Sequence, residues 1–183
     1  VIYRTQVRDL CTMRTSNLLY PGIKITLALE GETELFYGSL RLHLRAGPPA
    51  RAATPSGAMV ALARTDRFMR QWRAGRHERK LVITLTPQWL AQAGLLRGRL
   101  AEFAARHLAR APWQPSPHAL ALANQVHRGC PLPPHLAPLW YASRCTEIAL
   151  EAFASVEAAP AAAEPPRTGA RLQVRLAALR DWL

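Results

Sequence analysis

Ile23-Lys24-Ile25-Thr26-Leu27-Ala28-Leu29-Glu30 is the stretch that decides the fold. Ile23, Ile25, Leu27 and Leu29 fall on one face of an extended chain, and Lys24, Thr26, Ala28 and Glu30 on the other. A period of two is what a strand with unlike faces requires. The pattern returns where Leu40, Leu42 and Leu44 alternate with Arg41, His43 and Arg45. It returns again where Leu81, Ile83 and Leu85 alternate with Val82 and Thr84. Chain breakers separate the runs: Pro21-Gly22, Glu30-Gly31, Gly38, Gly47-Pro48-Pro49, Pro55-Ser56-Gly57 and Ala74-Gly75. Short strands closely spaced by turns predict a small antiparallel barrel or sandwich over residues 1–86. A barrel removes sheet edges and leaves room inside for a ligand.

The period changes after Leu85. Thr86-Pro87 reads as a helix cap followed by proline at the first helical position, with Gly94 ending a short helix. Leu96, Leu100, Phe103, Ala104, His107 and Leu108 then form one apolar stripe at helical spacing. Ser116-Pro117 opens another helix, carrying Leu120, Leu122, Ala123 and Val126, and Gly129 closes it. The longest helix is predicted from about Pro134 to Val156, with Leu136, Leu139, Trp140, Ile148, Ala152, Phe153 and Val156 on its stripe. Residues 157–169 have the Ala/Pro/Glu composition of a linker. Leu172, Leu176, Leu179 and Leu183 resume helical periodicity over residues 170–183. The fold class expected is α+β: a barrel over 1–86, a helical subdomain over 87–156, a linker over 157–169, and the first helix of a further domain. The chain opens on Val1 rather than Met, so its start is expected to lie upstream.

An apolar share of 49% is ordinary for a chain that buries a core. The formal charge is +12, and all but two of the 24 basic residues are arginine; the lysines are Lys24 and Lys80. The arginines are scattered, with no compact basic block and no aromatic-basic platform of the RNA-binding kind. Two readings of the charge compete: a solvated basic surface, or a polyanion partner such as nucleic acid. Three irregularly spaced cysteines, Cys11, Cys130 and Cys145, argue against a disulfide framework and fit a reducing cytoplasm. No apolar run approaches the roughly 20 residues of a membrane helix, and no signal-peptide pattern opens the chain.

No Gly-rich phosphate loop, nucleophile elbow or other catalytic set stands out, and no enzyme or cofactor is expected. A metal-binding barrel of the cupin kind needs a near-adjacent His pair, but the strand region holds only His43 and His77, far apart. His127, Cys130 and His135 lie close in sequence yet lack an evident fourth zinc ligand. They read as loop and helix-end residues.

The chain resembles the sensor region of AraC/XylS-type transcription regulators, and within them the pyochelin-regulator-like subgroup. The motifs that carry this are Gly22-Ile-Lys-Ile-Thr-Leu-Ala-Leu-Glu-Gly31 continuing to Phe36-Tyr37-Gly38, Leu81-Val-Ile-Thr-Leu-Thr-Pro-Gln-Trp-Leu90, and Trp113-Gln-Pro-Ser-Pro followed by Ala119-Leu-Ala-Leu-Ala-Asn-Gln125. Leu139-Trp-Tyr-Ala-Ser-Arg-Cys-Thr-Glu-Ile-Ala-Leu150 is similar to the long helix of the group, and Leu172-Gln-Val-Arg-Leu-Ala-Ala-Leu-Arg-Asp181 to the first helix of its DNA-binding domain. The resemblance implies a cupin-like sensor barrel, a helical packing or dimerisation region, and a cytoplasmic homodimer. It implies a small-molecule effector, a ferric siderophore in this subgroup. Promoter DNA would be read only through a C-terminal domain that this sequence lacks.

Polar and aromatic residues on strand positions that suit a barrel cavity are Tyr3, Arg14, Lys24, Tyr37, Arg70 and Trp72. Inward lysine or arginine suits an anionic ligand, and Trp72 suits stacking. Which face points inward stays open, because a one-residue slip swaps the faces. On the long helix, Leu139, Trp140, Arg144 and Glu147 are the candidate packing or dimer residues. Arg144 and Glu147 are spaced to pair, either as an exposed surface pair or as a partly buried one that seats the helix. Trp140 and Tyr141, being adjacent, are expected to face different surroundings, one of them marking an interface. Rival functions are a cupin-type enzyme and a nonspecific nucleic-acid-binding protein.

Overall fold

The computed structural model describes residues 1–46 and 56–159. Eight strands are seen: β1 (Ile2–Arg8), β2 (Met13–Leu19), β3 (Gly22–Tyr37), β4 (Leu40–Arg45), β5 (Gly57–Leu62), β6 (Asp66–Trp72), β7 (His77–Leu85) and β8 (Ala109–Trp113). Four α-helices follow or flank the last strand: α1 (Pro87–Gln92), α2 (Gly98–Ala105), α3 (Pro117–Arg128) and α4 (Ala137–Ala158), the last preceded by a 3-10 turn at Pro134–Leu136. All strand pairs are antiparallel, so the expected α+β class and the barrel of antiparallel strands are present. The barrel is open. One sheet runs β1-β7-β3-β5-β8 and the other carries β2, β6, β3 and β4, with β3 shared by both.

The sharing explains a breaker. Glu30-Gly31 reads as the end of a strand, yet β3 runs through it for 16 residues. The register against β7 shifts between Ala28 and Glu30, and Gly31 adopts φ +67°. An extra residue in one strand bends and twists it, which lets a single strand turn the corner between two sheets. A Cβ at Gly31 would lie 2.1 Å from the His77 carbonyl oxygen, so only glycine fits.

Pairing settles the faces. Ile25 lies opposite Ile83 and Leu27 opposite Leu81, and these side chains pack against the helices. Lys24 lies opposite Thr84, Thr26 opposite Val82 and Ala28 opposite Lys80, on the face between the two sheets. Both faces of β3 and β5 are therefore buried. The outer face joins Leu90, Phe103, Val126, Trp140, Ile148 and Phe153 in one core with the helices. The inner face joins Leu35, Leu42, Leu44, Val60 and Leu62 in a second.

Thr86 accepts from the Trp89 amide and Ser116 from the Ala119 amide, so both cap-proline pairs start helices, in line with the sequence pattern. Ser116 also donates its amide to Glu151, which ties α3 to α4. The stripe through His107 and Leu108 is interrupted: α2 ends at Ala105, and Leu108 turns with φ +61° toward the inner core. Ala109–Trp113 then adds an edge strand to β5, so residues 87–156 are not helical throughout. The rest of the expected linker and the expected final helix, residues 160–183, lie outside the described residues. Among the described residues no helix is long and apolar enough to cross a membrane.

Candidate ligand cavity

Between the sheets, on the side bounded by β1 and β2, lies a cavity of about 440 Å³. Strand alternation sends Tyr3 from β1, Lys24 and Tyr37 from β3, and Arg70 and Trp72 from β6 to its wall, five of the six residues read as ligand candidates. Arg14 is the exception. It lies opposite Gln71 on β2 and is exposed, whereas its neighbour Thr15, opposite Arg70, lines the cavity. The residue type suits the site, but Arg14 is exposed and is not on the wall.

The cationic groups in the wall differ in their surroundings. Arg70 contacts Glu78 (2.9 Å) and Asp9 (3.4 Å), and its guanidinium lies 3.5 Å over the Trp72 ring. The Lys80 ammonium sits 2.7 Å from Glu78 and donates to Thr33 Oγ1 (3.2 Å). Burial lowers the Lys80 pKa, and Glu78 opposes that shift. Lys24 is 5% exposed, and burial lowers its pKa too; among the described residues no neighbouring charge or hydrogen bond offsets that shift. Burial pushes the Tyr37 phenol up to about 12, so it stays protonated. Its ring lies 5.2 Å from that of Phe68, and Trp72 Nε1 donates to Thr15 Oγ1 (3.0 Å) across β6 and β2. The wall is thus aromatic and apolar with a few fixed polar groups, the usual character of a small-molecule site.

Asp9, Glu78 and Lys80 are absent from the candidates that sequence patterning supplies. Lys80 has a usable signal, being the other of two lysines and on the Val82–Thr84 face of β7. Asp9 and Glu78 have none, because their partners come from distant turns. Asp9 is fully buried, accepts from the Arg73 amide (3.0 Å) and Arg76 Nε (3.2 Å), and joins the loop after β1 to the β6–β7 turn.

The long-helix candidates separate. Arg144 and Glu147 do not pair. The Arg144 guanidinium lies 4.7 Å over Trp140 and donates to Gln125 and Ser143, while Glu147 meets His118 (3.0 Å) at the surface. Packing of α3 on α4 supplies each with a nearer partner. Trp140 and Tyr141 do share one core: their rings stand edge to face at 5.0 Å, Trp140 buried and Tyr141 packed against it. Tyr141 accepts from Arg4 (3.4 Å) and from the Cys130 amide (3.2 Å), and Arg4 also donates to the Val126 carbonyl (2.9 Å). Tyr3 and Arg4 therefore connect β1 to the cavity on one side and to α3 and α4 on the other. Leu139 is 72% exposed.

Among the described residues no cluster of three or more His, Cys, Asp and Glu side chains is arranged to hold a metal ion. His43 lies against Glu32, and His127 donates to the Lys80 carbonyl (3.0 Å).

The open barrel carries a lined cavity on one side of its main sheet and helices on the other. The profile of the family described as "Regulatory protein PchR N-terminal domain" matches residues 1–171, and the chain belongs to that family. This is the subgroup to which the sequence motifs point. Among solved structures, the 1.65 Å structure of ToxT from Vibrio cholerae is similar at a TM-score of 0.44 and 10% identity. The match covers 89% of this chain and 60% of that one, so the chain spans under two thirds of that neighbour's length. No curated protein matches the sequence.

Proposed function

We propose that this chain is the effector-sensing and dimerising part of an AraC-type transcription regulator, with a small molecule seated in the cavity between β1, β3, β6 and β7. The observation that carries this reading is the convergence of Tyr3, Lys24, Tyr37, Arg70 and Trp72 from three strands on one cavity. Occupancy acts by population shift: a ligand that prefers one arrangement of β1 biases whatever β1 touches. Arg4, the residue after Tyr3, touches α3 and Tyr141 of α4. In the finer form of the proposal the effector is a ferric siderophore, whose iron arrives inside the ligand. Promoter DNA is then bound by another domain in the cytoplasm.

The test is tryptophan fluorescence titrated with siderophores in ferric and iron-free forms, with sugars as controls and free tryptophan as the blank for iron quenching. Trp72 is the tryptophan on the cavity wall. Saturable quenching by one ferric siderophore, reduced in Trp72→Phe, is the expected result. No saturable response to any siderophore overturns the siderophore assignment.

Dimerisation is assigned to α4, whose outward face carries Leu139 and Leu150 at 72% and 68% exposure. Large exposed leucines eleven residues apart on one helix suit a partner helix. Light scattering should find a dimer for the native sequence and a monomer for Leu139→Glu/Leu150→Glu. A native chain that is monomeric at tens of micromolar sinks this part of the proposal.

A further inference from the structure

We propose that Lys24 anchors an acid group on an aromatic effector, an inference that rests on the sensing reading above. Three observations lead to it. First, Lys24 is 5% exposed and lines the cavity, and long charged side chains are rarely buried without a partner. Second, the other side-chain cations of the wall have carboxylate partners and Lys24 does not. Asp9 and Glu78 are shared among Arg70, Arg76 and Lys80, and neither pairs with Lys24. Among the described residues, Lys24 is the side-chain cation of the cavity wall that touches no carboxylate. Third, the surrounding wall is ring-rich, with Tyr3, Tyr37, Phe68 and Trp72 on it. A flat apolar body with one negative group satisfies all three: the rings take the body, and the ammonium takes the charge in a desolvated hydrogen bond.

The unpartnered lysine also has a signature in the free protein. A buried charge without a counterion opposes folding, so replacing it with an apolar side chain of similar length should stabilise. Burial holds the Lys24 pKa below its ordinary value, as such a penalty requires. A residue that weakens the free fold and strengthens only the liganded one is placed for binding rather than for packing.

The experiment uses 2-naphthoate and its uncharged counterpart 2-naphthamide, both small enough for a cavity of about 440 Å³. Calorimetric titration and thermal unfolding are run on the native chain, Lys24→Met and Lys80→Met. The native chain should bind the carboxylate at least about 10-fold more tightly than the amide. Lys24→Met should abolish that preference and raise the Tm of the free protein by about 2–4 °C. Lys80→Met, which breaks the contact with Glu78, should lower the Tm. Equal binding of the two probes by the native chain, or a preference that survives in Lys24→Met, overturns the anchor and leaves the sensing reading standing. Failure of both probes to bind at millimolar concentration also overturns the anchor; the siderophore titration then decides separately whether the sensing reading falls with it.

Discussion

Asp9→Ala is expected to destabilise the protein by about 3–5 kcal/mol, the usual loss when one member of a buried ion network is removed. The carboxylate is fully buried. It takes Arg70 at 3.4 Å, Arg76 at 3.2 Å and the Arg73 amide at 3.0 Å. Its backbone is engaged too: its amide donates to the Arg76 carbonyl, and its carbonyl accepts from Gly75. Without the side chain, among the described residues Arg76 keeps no carboxylate and Arg70 keeps only Glu78. For a chain of this size each kcal/mol moves the Tm by about 2–4 °C, so the midpoint should fall by roughly 10 °C. Asp9→Asn retains an acceptor for the Arg73 amide and should lose less. Urea unfolding of the two variants checks both statements, and a loss below about 1 kcal/mol in Asp9→Ala would falsify the view that this carboxylate holds the end of the barrel together.

Gly31→Ala is the second large effect. Gly31 and Gly75 both have positive φ, +67° and +82°, but a Cβ at Gly75 meets nothing within 4 Å, whereas one at Gly31 meets a backbone oxygen at 2.1 Å. The pair therefore separates two penalties. Gly75→Ala should cost about 1–2 kcal/mol, for the left-handed backbone alone. Gly31→Ala carries the same penalty and must also push β7 away from β3 where the strand turns between sheets, so a total of about 4 kcal/mol or more is expected. Denaturation curves for the two variants that coincide would show that the bend is not held by close contact at Gly31.

Alternation in Ile23 to Glu30 is enough to read a strand, and the cap-proline pairs at Thr86 and Ser116 are enough to place two helix starts. Both signals are local. What the local pattern lacks is parity between strands. Arg14 and Thr15 are equally plausible cavity residues until β2 is set against β6, where Thr15 lies opposite Arg70 on the cavity wall and Arg14 is left exposed. The polar face of β3 has the composition of a solvent face, but it lines the space between two sheets, since the apolar face is needed for the helices. Ala109–Trp113 is hidden in the sequence because an Ala-Arg-Ala-Pro-Trp run has little intrinsic strand preference, and proline is tolerated there only because the strand is at the edge. Arg144 and Glu147 have the spacing of a pair, but α3 offers Gln125 to one and His118 to the other. Tertiary neighbours outcompete a contact worth a few tenths of a kcal/mol.

The confinement of Lys24 and Lys80 to the cavity wall has a practical consequence. They are the two lysines of the whole sequence, and both are buried. The outer surface carries guanidinium groups and no lysine amine, so an acylating reagent that ignores guanidinium can modify a side-chain amine only by entering between the sheets. Labelling of side-chain amines in this protein is therefore a report on its interior. A mass added at Lys24 marks an accessible cavity, and its loss in the presence of a bound molecule is a footprint of that molecule. Such a footprint needs no radiolabel and no chromophore, and the molecule that leaves it can be of any chemical identity.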